Sequence, residues 1–333
     1  MRRRSLILAA VPVGLGALVG CGNSKPSGKS SASASGTAPA TSATPSPKIV
    51  GGPLPAITGG TRFGEKPTVA KGTGEPSKDL AVRTVIVGSG PIVAENDYIQ
   101  ANYLGQIWQT AKVFDNSYDR KTPLFIQLAP GSAIDGWRYA LTGKKTGSRV
   151  EFSVPPTWGY GPQGNPQAGI KGSDTLVFVV DLQAAFNSKS SAHGKTVPQS
   201  DAALPRVGTN TDGKAPAIDI PKATAPKKLV ANYVLEGDGL EVKADSTVLV
   251  QYKGVLWDTG TEFDSTYTKN ALTSFSLQQV VKGWAEGLTG KKTGSRVLIV
   301  VPPDLGYDGN PPPGSPIKKD STLVFSVDIL ATA

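Results

Sequence analysis

One cysteine and one histidine stand in 333 residues, and that scarcity removes most covalent enzyme chemistry at once. The lone thiol, Cys21, has no partner for a disulfide within the chain. His193 lies in a polar stretch and reads as a solvated side chain, so Ser-His-Asp and Cys-His mechanisms are excluded on composition. No Cys/His cluster has zinc spacing and no Asp-rich loop suits calcium, so neither metal nor cofactor is expected. A stripe of interleaved arginines and aromatics is also missing. The net charge of +9 comes from 35 basic and 26 acidic residues scattered along the chain. That pattern excludes nucleic acid as the expected partner and is compatible with a general attraction to an anionic envelope.

The N-terminus has the layout of a targeting segment. Arg2-Arg3-Arg4 is followed by an apolar stretch of about fourteen residues, Leu6 to Val19, too short to span a bilayer comfortably. It ends in Leu18-Val19-Gly20-Cys21, which resembles the lipobox of bacterial lipoproteins. The resemblance implies a signal peptide over 1–21, lipidation of Cys21, and a mature chain anchored to the outer face of the cytoplasmic membrane. Residues 22–60 are rich in Ser, Ala, Thr, Pro and Gly and read as a disordered tether.

What is abundant is repetition. Leu141–Val150 reads LTGKKTGSRV, and the same ten letters return at Leu288–Val297. Gly136-Trp137 returns as Gly283-Trp284, Pro155-Pro156 as Pro302-Pro303, and Thr175–Phe178 as Thr322–Phe325. Upstream, Tyr103 matches Tyr252, Trp108 matches Trp257, and Phe114-Asp115 matches Phe263-Asp264. A period of roughly 150 residues is domain-sized, not solenoid-sized. The chain is one domain written twice, over 78–186 and 227–333, with a polar linker over 187–226.

Each copy reads as α+β. Strands are expected over 80–87, 98–106, 149–154 and 175–182, with apolar residues alternating in three of them. One polar and one apolar face imply an antiparallel sheet packed on one side. A single short helix fits around 133–141 and 280–288, and it must lie in the concave face of a curved sheet. The glycine–lysine run at 143–146 precedes a strand, not a helix, and reads as a turn, not a phosphate loop. Long Gly/Pro loops over 155–173 and 302–320 are of the kind that carry function.

The duplicated residues that could carry function are mainly aromatic: Tyr103, Phe114, Trp137, Tyr160 and Phe178, with Tyr252, Phe263, Trp284, Tyr307 and Phe325 as counterparts. Asp115 and Asp264 directly follow a Phe, and Ile170 and Ile317 lie in the long loops. A plain hydrophobic core explains residues such as Leu176 and Val180. It explains poorly a Tyr and an Ile from a Gly/Pro loop, or an Asp beside a buried ring. An apolar cup with a few polar handles is the general form of a small-ligand pocket.

In that order the motifs Phe-Asp-Asn-Ser and Phe-Asp-Ser-Thr, Ala-Ile-Asp-Gly-Trp and Val-Val-Lys-Gly-Trp, Val-Pro-Pro with Gly-Tyr, and Thr-Leu-Val-Phe resemble the FKBP-type peptidyl-prolyl cis-trans isomerases, twice over. The resemblance implies two tandem FKBP-like domains, each a curved antiparallel sheet wrapped around one short helix. It places Trp137 and Trp284 at the pocket floor. Tyr103, Phe114 and Phe178 then form the walls of one cup, as Tyr252, Phe263 and Phe325 do for the other. It further implies that Asp115 and Asp264 are polar contacts, that Ile134 and Val281 offer a backbone donor, that Tyr160 and Tyr307 donate a hydroxyl to bound peptide, and that Ile170 and Ile317 close the rim.

Leu124 and Thr273 stand where the family often has a further aromatic, and Tyr139-Ala140 replaces the Glu286-Gly287 type of sequence. From Leu124 against Thr273, the first repeat is expected to be the more active. The implied function is X–Pro isomerisation in exported polypeptides by a monomeric chain, without covalent catalysis. Macrolide immunosuppressant-type compounds are the implied ligands, and a non-catalytic chaperone or binding module is the alternative.

Overall fold

The computed structural model describes residues 46–333. The expected signal segment, Cys21 and the expected tether up to position 45 lie outside the described residues. In the first domain the elements are β1 (Leu80–Ile86), β2 (Tyr98–Ile107), β3 (Val113–Asn116), β4 (Leu124–Gln127), α1 (Asp135–Leu141), β5 (Arg149–Val154) and β6 (Leu176–Phe186). The second domain repeats them as β7 (Val230–Glu236), β8 (Thr247–Leu256), β9 (Glu262–Ser265), α2 (Thr266–Lys269), β10 (Thr273–Ser276), α3 (Lys282–Leu288), β11 (Arg296–Val301) and β12 (Leu323–Thr332). The single-turn helix α2 was not expected from the sequence pattern. It forms because the Ser265 side chain accepts from the amides of Tyr267 and Thr268, and Asn270 closes it in the left-handed region.

The order β1-β5-β6-β2-β3, with β4 also on β2, builds the first antiparallel sheet; β7-β11-β12-β8-β9, with β10 on β8, builds the second. Alternate residues point to the concave side, where Val150, Phe152, Val154, Phe178, Val180 and Leu182 pack under Trp137 and Leu141 of α1. The same seam recurs with Val297, Ile299, Val301, Phe325 and Val327 under Trp284 and Leu288 of α3. The Gly-Trp pair of each helix has a steric reason. A Cβ on Gly136 would stand 2.5 Å from a Val154 methyl, and one on Gly283 would stand 2.5 Å from a Val301 methyl. Among the described residues no helix is long and apolar enough to cross a membrane.

The polar segments differ from expectation. Residues 46–60, assigned to the tether, are bound to the first domain: Ile49–Val50 pairs in parallel with Leu80–Ala81, and Ile57–Gly59 pairs with Thr68–Val69. Together with residues up to 79 they form a strap across the convex face. There Val69 and Ile57 pack on Leu104, Trp108, Val177 and Val179. The supposed linker straps the second domain in the same way, with Val207, Leu204 and Ile218 over Val255, Trp257, Leu298, Val300 and Val324. Both straps hang on a buried ion pair. Arg149 donates to Asp181 and to the carbonyls of Gly60 and Glu65; Arg296 donates to Asp328 and to the carbonyls of Gly208 and Asn210. Side-chain composition hid this because most of the anchoring is done by main-chain groups, which every residue carries. His193, within the second strap, has an exposed side chain.

The domains touch. Tyr98, Phe125 and Phe186 of the first pack on Leu249, Leu272, Leu330 and Ala331 of the second.

Candidate active site

Each concave face ends in an aromatic cup. In the first domain Trp137 is fully buried at its floor, presenting ring edges to Tyr103 at 5.4 Å and 82° and to Phe178 at 5.4 Å and 81°. Phe114 meets Phe178 edge-on at 5.7 Å. In the second, Trp284 meets Tyr252 at 5.2 Å and Phe325 at 5.3 Å, and Phe263 meets Phe325 at 5.4 Å, all near-perpendicular. Edge-to-face contacts favour this geometry and fix the rings relative to one another. The expected floor and wall residues are therefore brought together in both copies.

The polar handle is built by the β2–β3 hairpin and its counterpart. The Tyr103 hydroxyl donates to Asp115, and Arg120 donates to both Asp115 and the Tyr103 oxygen. The Tyr252 hydroxyl donates to Asp264 at 2.5 Å, and Lys269 donates to the other carboxylate oxygen at 2.5 Å. Burial, then the neighbouring carboxylate, pushes both tyrosines well above their ordinary range, so both remain neutral donors. Burial also pushes Asp264 up, but hydrogen bonds from Lys269 and Tyr252 outweigh it and hold the carboxyl below the usual range.

Ile134 and Val281 sit at the N-caps of α1 and α3 with extended ψ angles of 140° and 147°. Among the described residues their amides make no backbone hydrogen bond, which leaves each N–H free to donate. Ile170 and Ile317 are buried in the core clusters, and Tyr160 and Tyr307 are half-buried against them. Burial raises the Tyr160 and Tyr307 hydroxyls above their usual range. The long loop of the first domain carries three single 3-10 turns, at Pro156–Trp158, Gly161–Gln163 and Pro166–Ala168, where an unstructured loop was expected. Asn165 and Ile170 exchange two backbone hydrogen bonds of 2.9 Å, which is how a loop residue comes to be buried. The indole N–H groups of Trp137 and Trp284 are buried without an acceptor among the described residues.

Three features escaped the sequence reading. The basic partners Arg120 and Lys269 recur five residues after each Asp. Gly105 and Gly254 recur on the wall strand, where a Cβ would stand 2.6 Å from the Phe114 ring and 2.7 Å from that of Phe263. Comparing the two copies position by position finds both pairs. The third is Phe275, whose ring lies 5.5 Å from Trp284 at 83°. It stands two residues beyond Thr273 on the same face of β10, so the second cup has an aromatic where the first has Ile126. The expected ranking of the repeats, argued from Thr273, loses its basis.

Fold and site thus define a domain whose curved sheet closes on a set of aromatic rings, and this chain carries it twice. The family model described as FKBP-type peptidyl-prolyl cis-trans isomerase matches residues 90–183 and 239–330. The chain belongs to that family, and isomerisation of X–Pro bonds is its reaction. It is 38% identical over 120 residues to an FK506-binding protein of Streptomyces anulatus, covering 36% of this chain and 97% of the relative. To human FKBP10 it is 30% identical over 238 residues, covering 71% of this chain and 34% of that protein. The crystal structure of FkpA from Escherichia coli is 44% identical over 31% of this chain and 47% of that one, with a TM-score of 0.30. Both straps fall outside the residues that the family model matches.

Proposed function

We propose that each cup lowers the barrier to prolyl rotation by non-covalent means. Rotation about X–Pro costs about 18–20 kcal/mol because the planar amide is resonance-stabilised. The twisted amide is less dipolar, so an apolar cup disfavours the planar form more than the twisted one. Trp137 or Trp284 seats the prolyl ring, the Ile134 or Val281 amide takes a peptide carbonyl, and the Tyr160 or Tyr307 hydroxyl donates to the peptide. A ten-thousandfold acceleration requires about 5.5 kcal/mol of preferential transition-state stabilisation. The observation that carries this reading is the duplicated cup itself: four aromatic rings closing on one another, with a Tyr–Asp pair held by a basic side chain at their edge. The test is isomer exchange on an X–Pro peptide with Asp115→Ala and Asp264→Ala, singly and together. Activity should fall in each single variant, and further in the double, while the melting temperature moves by only a few degrees. Stability and activity falling in step would make the pair merely structural.

The clients, on this reading, are Pro-containing exported polypeptides, and macrolide immunosuppressant-type compounds compete for the cup. The monomeric chain is held at the outer face of the cytoplasmic membrane by lipid on Cys21. The lipobox-like Leu18–Cys21 and the uniqueness of that cysteine support the anchor. Cys21→Ala should abolish detergent-phase partitioning; equal partitioning of variant and parent would sink it.

A further inference from the structure

The two repeats agree at the cup and disagree where the domains touch. The first domain presents Tyr98, Phe125 and Phe186; the matching strand positions in the second are Thr247, Ser274 and Ala333. The second presents Leu249, Leu272 and Leu330, where the first has Gln100, Pro123 and Gln183. Each face is apolar only in the copy whose partner covers it. Tyr98 and Phe125 stack at 5.3 Å with 9° between their planes. The connection leaves little slack, because β6 ends at Phe186 and Gln251 of β8 already holds the carbonyls of Ser188 and Ser190 at 3.0 and 2.8 Å.

This contact lies on the back of a cup wall. The strand β4 has four residues and pairs only with β2. A short strand held along one edge is the least constrained part of a sheet. Its alternation sends Leu124 and Ile126 inward, against the core that ends in the cup, and Phe125 outward onto the second domain. Phe125 is thus gripped from outside by leucines while its two neighbours form part of the cup from inside.

We propose that the second domain braces the first cup, with Phe125 as a positioning residue that holds Leu124 and Ile126 at the geometry prolyl binding needs. This rests on the prolyl reading of the cup. It makes the tandem more than two independent catalysts, because the first cup reaches full affinity only when the second domain is docked. The rival is a contact that merely glues the domains together, and it predicts no effect on binding in the cup.

The test uses the full chain with the second cup disabled by Tyr252→Phe and Asp264→Ala, so that X–Pro exchange reports the first. Leu249→Gln with Leu330→Gln gives the second domain the side chains that the first bears at the matching positions, where the same fold tolerates them. Nuclear relaxation reads whether the domains still tumble together. The expected result is independent tumbling and a KM raised roughly two- to thirtyfold, the range of coupling carried by remote substitutions, with kcat changed less. Phe125→Ser, the residue of the second repeat, should do the same, and Phe125→Leu should restore most of the affinity. Independent tumbling with KM unchanged overturns the brace, as does common tumbling that survives both sets of substitutions. A parent chain without exchange in either cup would instead sink the prolyl reading, and the brace with it.

Discussion

Arg149 and Asp181 face each other across β5 and β6, joined by hydrogen bonds of 2.6 and 2.7 Å with neither side chain reaching solvent. The same pair recurs as Arg296 and Asp328. Removing one partner strands a buried charge, which costs about 3–5 kcal/mol. Here it also unseats a strap, since the guanidinium holds strap carbonyls and the amide of Gly64 donates to Asp181 at 2.7 Å. Asp181→Ala should therefore lower the urea midpoint of the first domain and speed proteolysis between 46 and 79. A midpoint shift without strap release would show that the pair only stabilises the sheet.

The segment 187–226 reads as a linker but is bound along the second domain. Limited proteolysis should leave one resistant core beginning near residue 46, with no early cut between 192 and 210. The contacts are specific: Ala192 donates to Asp328 at 2.9 Å, and Gln199 exchanges two hydrogen bonds of 2.8 Å with Val207. Early appearance of two separate domain-sized fragments on a gel would contradict this.

Glu151 is fully buried on β5, paired only with the half-exposed Arg83, and its second oxygen has no partner. Burial raises its pKa above the ordinary 4.5 despite the arginine. Between that value and the raised one, the folded chain holds a proton that the unfolded chain has lost. Stability from this group is therefore highest at acid pH and falls as pH rises through the folded pKa. The second domain has Leu298 at this position, beside Asn232 instead of Arg83. Glu151→Leu should flatten the dependence and stabilise neutral protein, since it removes a desolvated carboxyl and leaves Arg83 half in solvent, where its charge stays hydrated. Melting curves from pH 4 to 8 would reveal it; an unchanged slope would remove Glu151 as the cause.

Gly105 lets two rings close the first cup. Gly105→Ala would put a methyl 2.6 Å from Phe114 and 2.9 Å from Phe178. Overpacking of this kind costs about 1–3 kcal/mol. Because Phe114 is the more exposed ring, it should yield and open the wall. Peptide affinity of that cup should then drop about tenfold, roughly 1.4 kcal/mol, with Gly254→Ala doing the same in the second. Unaltered affinity in a less stable domain would place the rings outside the binding surface.

The sequence by itself determined the duplication, the strand alternation, the short helix and the duplicated aromatics, but not Phe275, which has no aromatic counterpart in the first copy. Each of these is either a period or a pair of identical positions, and both survive in a linear string. Trp137 and Trp284 could be matched in the string because each follows a glycine within the same repeated order of motifs, and the fold gives that glycine its reason: it lets the helix approach a valine. The tertiary structure alone decided what lies on the outside of each sheet. The straps are held by carbonyls of Gly60 and Gly208, and the identity of a residue does not say where its main chain bonds. It also decided where the repeats meet. Tyr98, Phe125 and Phe186 are far apart in sequence, and only sheet register brings them into one patch facing the leucines of the second domain. Substitutions that look like drift between two copies become a fitted pair of surfaces once the chain is folded.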